Sequence, residues 1–356
     1  MQGFVARRLL VAIPVVLLAT LIVFLLVTAT GDPLADLRTR PGTSTQTIRN
    51  LEAEYHLDEP VVARYGLWLG DFVQGDWGHS FATDQPVSGM IGDAAWNSFL
   101  LVGTTVVLSV ILALLLGVVS AVRERSLFDH AATGFSYFGF SMPDFFFALM
   151  LQLVLVVWLR EQFGVQIFYV QGKYSVGEEG NVLNLFQHMA LPVATLMLTT
   201  VAAWSRYQRD SMLDVLRSDY IRTARAKGVP RSRIVRHHAL RNSLIPFVTV
   251  VAIDTGVLLG GVVVVERIFS WPGLGLVFFE ALERSDYPVL LAWTALAVTF
   301  VVLCNLAADV LYGVLDPRIR VSGRRRGQVT SARAAGPTGP TPPTPAPVTD
   351  LPEVGA

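Results

Sequence analysis

Six stretches of this chain carry enough apolar residues to meet or approach the length of a bilayer crossing. A hydrocarbon core about 30 Å thick needs roughly 20 apolar residues in an α-helix. The stretches are 9–27, 99–122, 135–159, 189–204, 247–265 and 289–314. The fourth is the shortest and carries Pro192 near its start, but the flanking loops make sense only if it crosses. Composition agrees: the chain is 52% hydrophobic and 16% charged, whereas about a quarter of an ordinary soluble domain is charged. The expected fold is therefore an all-α integral membrane protein with six transmembrane helices.

Basic residues orient it. With both termini in the cytoplasm, segments 1–8, 123–134, 205–246 and 315–356 hold 20 of the 28 Lys and Arg residues, as the positive-inside rule requires. Acidic residues lean the other way, clustering in 32–93 and 161–179. A cleaved signal peptide is the competing reading of the first stretch, with Arg7 and Arg8 as its basic region and Val27-Thr28-Ala29 as the cleavage site. The apolar run exceeds the roughly 7–15 residues of a signal core, so a permanent span is expected.

The external segments are 28–98, 160–188 and 266–288. In the first, 48–57 and 61–73 read as short amphipathic helices split by Asp58-Glu59-Pro60, where proline ends the first. In the last, a sharp turn at Trp271-Pro272-Gly273 leads into a short helix over 277–283, which either meets an external partner or closes the fold. The tail beyond Arg326 is dominated by Pro, Thr, Ala and Gly and is expected to be disordered. The net charge of zero indicates no attraction to nucleic acid. The single cysteine, Cys304, cannot form a disulfide within the chain.

The loop 205–246 is the most informative segment. Leu216, Tyr220 and Ala224 recur every four residues, giving a helix over 214–227. Gly228 is placed to cap it, and Val229-Pro230 prevents continuation. A second short helix is expected over 231–242, with Ile234, Val235, His238 and Ala239 along one side, and Pro246 then opens the fifth span. Topology alone explains the arginines. It does not explain two amphipathic helices in a connection of this length, which expose an apolar and basic surface suited to lipid headgroups or to a protein.

The run Arg222-Thr223-Ala224-Arg225-Ala226-Lys227-Gly228, followed by Ile234, Arg236-His237-His238, Leu240, Asn242 and Ile245-Pro246, resembles the EAA loop of binding-protein-dependent ABC importer permeases. Arg222 stands where that pattern often has glutamate, which is similar to the dipeptide, oligopeptide and nickel branch. Thr30-Gly31-Asp32-Pro33, Leu57-Asp58-Glu59-Pro60, Gly75-Asp76-Trp77-Gly78 with Ser80-Phe81, and Glu266 with Ser270-Trp271-Pro272-Gly273-Leu274-Gly275 resemble the same branch. The likeness covers residues 4–321. It implies the type I importer permease fold and a bacterial plasma (inner) membrane location. It further implies a second, homologous permease as heterodimer partner, two ATP-binding cassette subunits or domains, and an external solute-binding protein. The coupling residues would be 222–228 with Ile234 and Pro246, the coupling turn lying around 224–228. Peptides are the first expected substrate, and nickel complexes or other small solutes the alternative.

No cofactor is expected on the chain itself; ATP and Mg belong to the partner ATPases. A phosphate-binding loop needs Gly-Lys followed by Ser or Thr. The chain has two lysines: Gly172-Lys173 precedes Tyr174, and Lys227 precedes Gly228. It also lacks HExxH, paired-cysteine and Gly-x-Ser-x-Gly signatures, and His237 and His238, being adjacent, point in different directions on a helix. No catalytic residue or metal site is expected, which disfavours a membrane-embedded enzyme.

Ionisable residues inside a membrane are costly and suggest function or a polar partner. Asp144 follows Pro143 and reads as the cap of a restarted helix, and Asp309 lies near the end of the sixth span. Asp254, about a third of the way along the fifth, is the candidate for the translocation pathway or for pairing with a neighbouring subunit. It is also the one feature favouring an ion-driven secondary transporter, a reading that leaves loop 205–246 without a purpose. Gly256 and Gly260 have the spacing of close helix packing, within the chain or at a subunit seam.

Overall fold

The computed structural model describes residues 2–29, 34–39 and 44–315. Residues 1–312 form one compact unit; of a second, 313–356, only the last residues of the final helix are described. Thr30-Gly31-Asp32-Pro33 and the tail beyond 315 lie outside the described residues, as does the side chain of Asp309.

The described secondary structure is helical. α1 spans Gln2–Ala29, followed by α2 (Ala35–Thr39), α3 (Thr45–Glu54) and α4 (Val61–Gln74). Ser44 caps α3 by accepting from the Thr47 amide at 3.0 Å. Gly75 ends α4 in the left-handed region. α4 falls where the amphipathic pattern puts it, but α3 covers Thr45–Glu54 rather than 48–57 and its cap is Tyr55, so it ends in a turn before Asp58-Glu59-Pro60 and Pro60 does not stop it. Phe24 of α1 meets Tyr65 and Trp68 of α4 ring to ring, at 5.5 and 5.8 Å. The Tyr65 hydroxyl donates to the Leu17 carbonyl at 2.9 Å.

α5 (Val87–Val122) is the longest helix and lies against α9 (Val182–Leu216). Gly117 makes the close approach possible: a Cβ there would sit 2.7 Å from the Ser205 carbonyl oxygen. Between them come α6 (Leu127–Ser141), α7 (Asp144–Gln152), a π-helical turn at Leu153–Trp158, and α8 (Leu159–Phe163). The third apolar stretch, 135–159, is thus not a single straight helix. The chain turns by 101° between α6 and the segment from Asp144, because Pro143 disfavours helix at Met142 and cannot supply an amide to α6. The helix does restart here, but Asp144 is its first residue and Pro143 the cap position, with no side-chain cap bond. Asp144 Oδ1 is instead buried without a hydrogen-bond partner among the described residues.

After α9 come α10 (Asp219–Ala226), α11 (Arg231–Arg233), a π-helical turn at Ile234–Ala239, α12 (Leu240–Ile268), α13 (Leu274–Glu283) and α14 (Tyr287–Leu315). Among the described residues five helices are long and apolar enough to cross a membrane, and the bent α6–α8 segment makes a sixth if it is one crossing. A central core joins α5, α7, α9 and α12 through Leu101, Ala148, Leu191, Leu196, Val262 and Trp271. A smaller cluster, Ala121, Met212, Leu213 and Ala239, locks the end of α5 to the end of α9 and the π-helical turn.

Three expectations for the loop 205–246 are corrected. The helix over 214–227 is broken at Arg217-Ser218: α9 runs on to Leu216, and Ser218 starts α10 afresh in extended backbone. The second short helix is not separate, because α11 passes through the π-helical turn into α12. Pro246 therefore does not open a span; it lies inside α12. A proline interior to a helix removes one backbone bond, a loss that neighbouring helices and local readjustment make tolerable in a membrane protein.

Candidate coupling site

The elbow is built on a helix end. α10 stops through a Schellman arrangement: Gly228 (φ +74°) donates to Arg225 O at 3.0 Å, and Val229 donates to Ala224 O at 3.2 Å. A left-handed residue is needed there, and glycine adopts it without strain. Pro230 then redirects the chain, and Arg231 begins helical backbone that continues to Ile268. Ile221, on the inner side of α10, is fully buried, and Ile234 is 2% exposed. Ile234 shares the cleft behind the elbow with Ala121 and Val122 of α5 and Leu213 and Leu216 of α9.

The rest of α10 faces outward. Arg222, Thr223, Arg225, Ala226, Lys227 and Gly228 are exposed and Ala224 is half-buried; Pro246, also half-buried, stands apart within α12. Thr223 donates to Asp219 O within the helix at 3.0 Å. Behind the elbow, Arg231 donates to Val122 O at 2.8 Å, a cation on the C-terminal carbonyls of α5. Arg217 pairs with Glu124 at 2.7 Å. A cleft of about 770 Å³ runs between these elements, with Arg217, Arg222, Arg225 and Arg231 beside Leu216 and Ile234. The site offers cations beside an apolar wall. Among the described residues no group of three or more His, Cys, Asp or Glu is placed to hold a metal.

Sequence reasoning missed the strongest electrostatic anchor beside this elbow. Asp129, in the first turn of α6, is 4% exposed and receives Arg209 of α9 at 2.6 and 2.9 Å. Ser120 Oγ and the Arg125 amide complete its shell at 2.9 and 2.8 Å. Arg209 above all holds the Asp129 carboxyl well below the usual carboxylate range. The available signal was Ser126 three residues before Asp129, a helix-start pattern; the partner, 80 residues on, had none.

Two further carboxylates organise the opposite end and explain the motifs that otherwise looked arbitrary. Glu266 is fully buried; it accepts from Ser98 Oγ and from the Gly275 amide, both at 2.6 Å. The turn from Trp271 to Gly275 wraps this carboxylate, and α13 starts at Leu274 rather than at 277 because Gly273 lies in extended backbone just before it. A carboxylate at a helix N-terminus is favourable. Asp286, 2% exposed, takes the Ser80 hydroxyl and the amides of Phe81 and Ala82, the last two at 3.1 and 3.3 Å.

Asp254 has a partner within the chain: its Oδ2 accepts from Trp204 Nε1 at 2.8 Å. Trp204 is 1% exposed, while Asp254 is half-buried. Gly256 approaches Cys304 of α14, whose Cβ would stand 3.2 Å from an added methyl. The structure does not bring Asp254 to the elbow; the two lie in different parts of α12 and its approach.

Residues 113–321, which include the elbow and both its flanking helices, match the family model of the binding-protein-dependent transport system inner membrane component. The chain belongs to that family. It is therefore a multi-pass protein of the bacterial inner membrane, and membership implies a substrate-binding protein and an ATPase as partners. It is similar to the oligopeptide transport system permease protein AppB of Bacillus subtilis, 38% identical over 321 residues, covering 90% of this chain and 99% of that protein. The dipeptide transport system permease protein DppB of Escherichia coli K12 is 37% identical over 344 residues, with 90% and 99% covered. The di/tripeptide transport system permease protein DppB of Pseudomonas aeruginosa is 36% identical over 345 residues, with the same shares.

Proposed function

We propose that this permease forms half of the translocation pathway of a peptide importer and transmits the motion of separate ATPase subunits through the elbow at 219–230. One observation carries the reading: α10 is capped at Gly228 and joined through Pro230 to helical backbone running from Arg231 to Ile268. A push on α10 thus becomes a displacement of α12 rather than a flexing of a loop. The basic outer surface, with Arg222, Arg225 and Lys227, suits a partner with acidic side chains. Peptide as substrate rests on the relatives, whose names specify oligopeptide, dipeptide and di/tripeptide transport.

In this scheme a homologous but different permease supplies the other half of the path, six spans leave both termini in the cytoplasm, and two ATP-binding cassettes dock on the paired elbows. ATP and Mg bind to those cassettes, and this chain is not itself catalytic. ATP binding draws the elbows together and opens the cavity outward to receive substrate from the external binding protein; hydrolysis resets it. Asp254 lines the path. The test is uptake of a labelled dipeptide and a labelled oligopeptide into proteoliposomes holding the assembled complex. Uptake should require internal ATP together with the binding protein. Uptake driven by an ion gradient without ATPase subunits would mean a secondary transporter, and uptake of a nickel chelate alone would replace the substrate class.

A further inference from the structure

A cavity of about 100 Å³ lies between the C-terminal end of α1, α4 and the start of α14, remote from the elbow. It is small beside the roughly 300–1,000 Å³ of pockets that enclose whole small molecules, so it suits a headgroup-sized fragment. Arg64 lines it and is anomalous. The guanidinium stands 5.5 Å above the Phe24 ring, yet among the described residues it has no hydrogen-bond or ion-pair partner. Burial alone pushes its pKa down. A partly desolvated cation without an anion is costly unless a ligand supplies one.

Three further observations say what that ligand is. Asp71, seven residues after Arg64 on α4, faces the same cavity, and Glu54 and Asp76 also line it. Two helical turns separate Arg64 from Asp71 by roughly 10 Å, with the Trp68 indole between them on the same wall. A ligand seated here thus meets a cation, an aromatic face and then carboxylates. Beside the cavity, α1 presents an apolar flank in which Leu18, Ile22, Leu25 and Leu26 are 59%, 48%, 42% and 61% exposed. Leu25 is three residues from Thr28, a cavity residue, so flank and cavity adjoin on the helix surface. Trp68, Tyr65 and Trp77 cluster at this helix end, where amphipathic rings mark the level of lipid headgroups.

We propose that this cavity seats the headgroup of an aminophospholipid of the phosphatidylethanolamine type, with its phosphate on Arg64, its ammonium toward Asp71 and Asp76, and its acyl chains along the exposed flank of α1. The acidic lining selects against lipids with an anionic headgroup, and the ring wall favours an ammonium through its π-face. The site rests on α1 crossing the bilayer and is independent of the transported substrate.

The test uses the assembled complex, reconstituted in nanodiscs of mixed phosphatidylethanolamine and phosphatidylglycerol, then stripped with detergent, with retained lipid identified by mass spectrometry. Wild type should keep phosphatidylethanolamine in preference to phosphatidylglycerol. Arg64→Gln should lower that retention by at least about tenfold, as loss of a charge-assisted contact implies, and Arg64→Lys should restore part of it. Asp71→Asn should keep a phospholipid but lose the preference for the amine. Co-purifying ATPase subunits report assembly; where Arg64→Gln fails to assemble, the Asp71→Asn and Arg64→Lys comparisons decide. Equal retention in wild type and Arg64→Gln, or equal retention of phosphatidylglycerol by wild type, overturns the proposal. Displacement of the retained lipid by trialanine or by inorganic phosphate overturns it as well, by making the cavity a peptide or free-anion site.

Discussion

Asn242 Nδ2 donates to the Tyr220 hydroxyl at 2.9 Å, tying the first turn of α10 to the root of α12. That bond braces the elbow across its open side. Both residues are exposed, so its net worth is about 0.5–1 kcal/mol, equivalent to a two- to fivefold change in an equilibrium at about 1.4 kcal/mol per decade. Tyr220→Phe should lower peptide uptake per ATP hydrolysed by about that factor, with assembly unchanged. Asn242→Ala should do the same, and the double variant should be no worse than either single. Additive losses would mean that the two residues act separately.

Gly228 carries the elbow's shape through its backbone alone. A Cβ there meets nothing within 4 Å, but φ is +74°. Gly228→Ala should therefore cost about 1 kcal/mol through left-handed strain, with Gly228→Asn closer to wild type. The spans should still insert and ATPase subunits should still co-purify, while uptake per ATP falls more for Ala than for Asn. Arg225→Glu, which leaves the backbone alone and reverses an outward charge, should weaken ATPase retention itself. Normal uptake in both Gly228→Ala and Arg225→Glu would remove the docking role.

Asp129 and Arg209 set the acid limb of stability. The folded carboxyl titrates below its unfolded value, so the pair stabilises fully above about pH 4 and loses that contribution as pH falls further toward the depressed folded value. Asp129→Ala should cost about 3 kcal/mol at neutral pH, because it removes the buried partner of Arg209 and leaves it only the exposed Asp210. Asp129→Asn should flatten the dependence of unfolding on pH below 4 relative to wild type. An unchanged acid limb in Asp129→Asn would assign it to other carboxylates.

What was legible in the sequence was local. The Gly228-Val229-Pro230 break and the start of α4 after Asp58-Glu59-Pro60 follow from backbone preferences that act over a few residues. Pro143 marked a discontinuity, but the 101° turn depends on how α6 and α7 each lie against α9, and no local pattern encodes that. Pro246 misled because proline's helix-breaking cost was applied as though water, not other helices, surrounded it. Asp129–Arg209 and Ser80–Asp286 were invisible because they join residues 80 and 206 positions apart. The carboxylate shells also show why Ser80 carries a hydroxyl for Asp286 and why Gly273 and Gly275 carry no side chain beside Glu266.

Gly275 is constrained for a reason opposite to Gly228. An added Cβ would stand 2.4 Å from Val263 Cα and 2.9 Å from Glu266 Oε2. The first of these is backbone and cannot swing aside. Gly275→Ala should cost about 2–3 kcal/mol or more by overpacking, well above Gly228→Ala, and should lower the yield of assembled complex rather than its coupling. Thermal unfolding of the purified complex separates the two; equal losses would contradict the close approach of α12 and α13.

Asp254 offers a cleaner test than its position suggests, because its bond to Trp204 can be kept while its charge is removed. The carboxylate accepts through Oδ2, and an asparagine carbonyl can accept from the same indole N–H. Asp254→Asn therefore changes charge with little change in packing, whereas Trp204→Phe removes the donor and leaves the charge. If Asp254 lines the path and meets the ammonium of a passing peptide, Asp254→Asn should lower uptake by about tenfold, the scale of a charged hydrogen bond, with assembly and ATP hydrolysis intact. Trp204→Phe should instead destabilise the complex by about 1–3 kcal/mol. Uptake unchanged in Asp254→Asn, together with destabilisation in Trp204→Phe, would reduce Asp254 to an acceptor that satisfies a buried tryptophan.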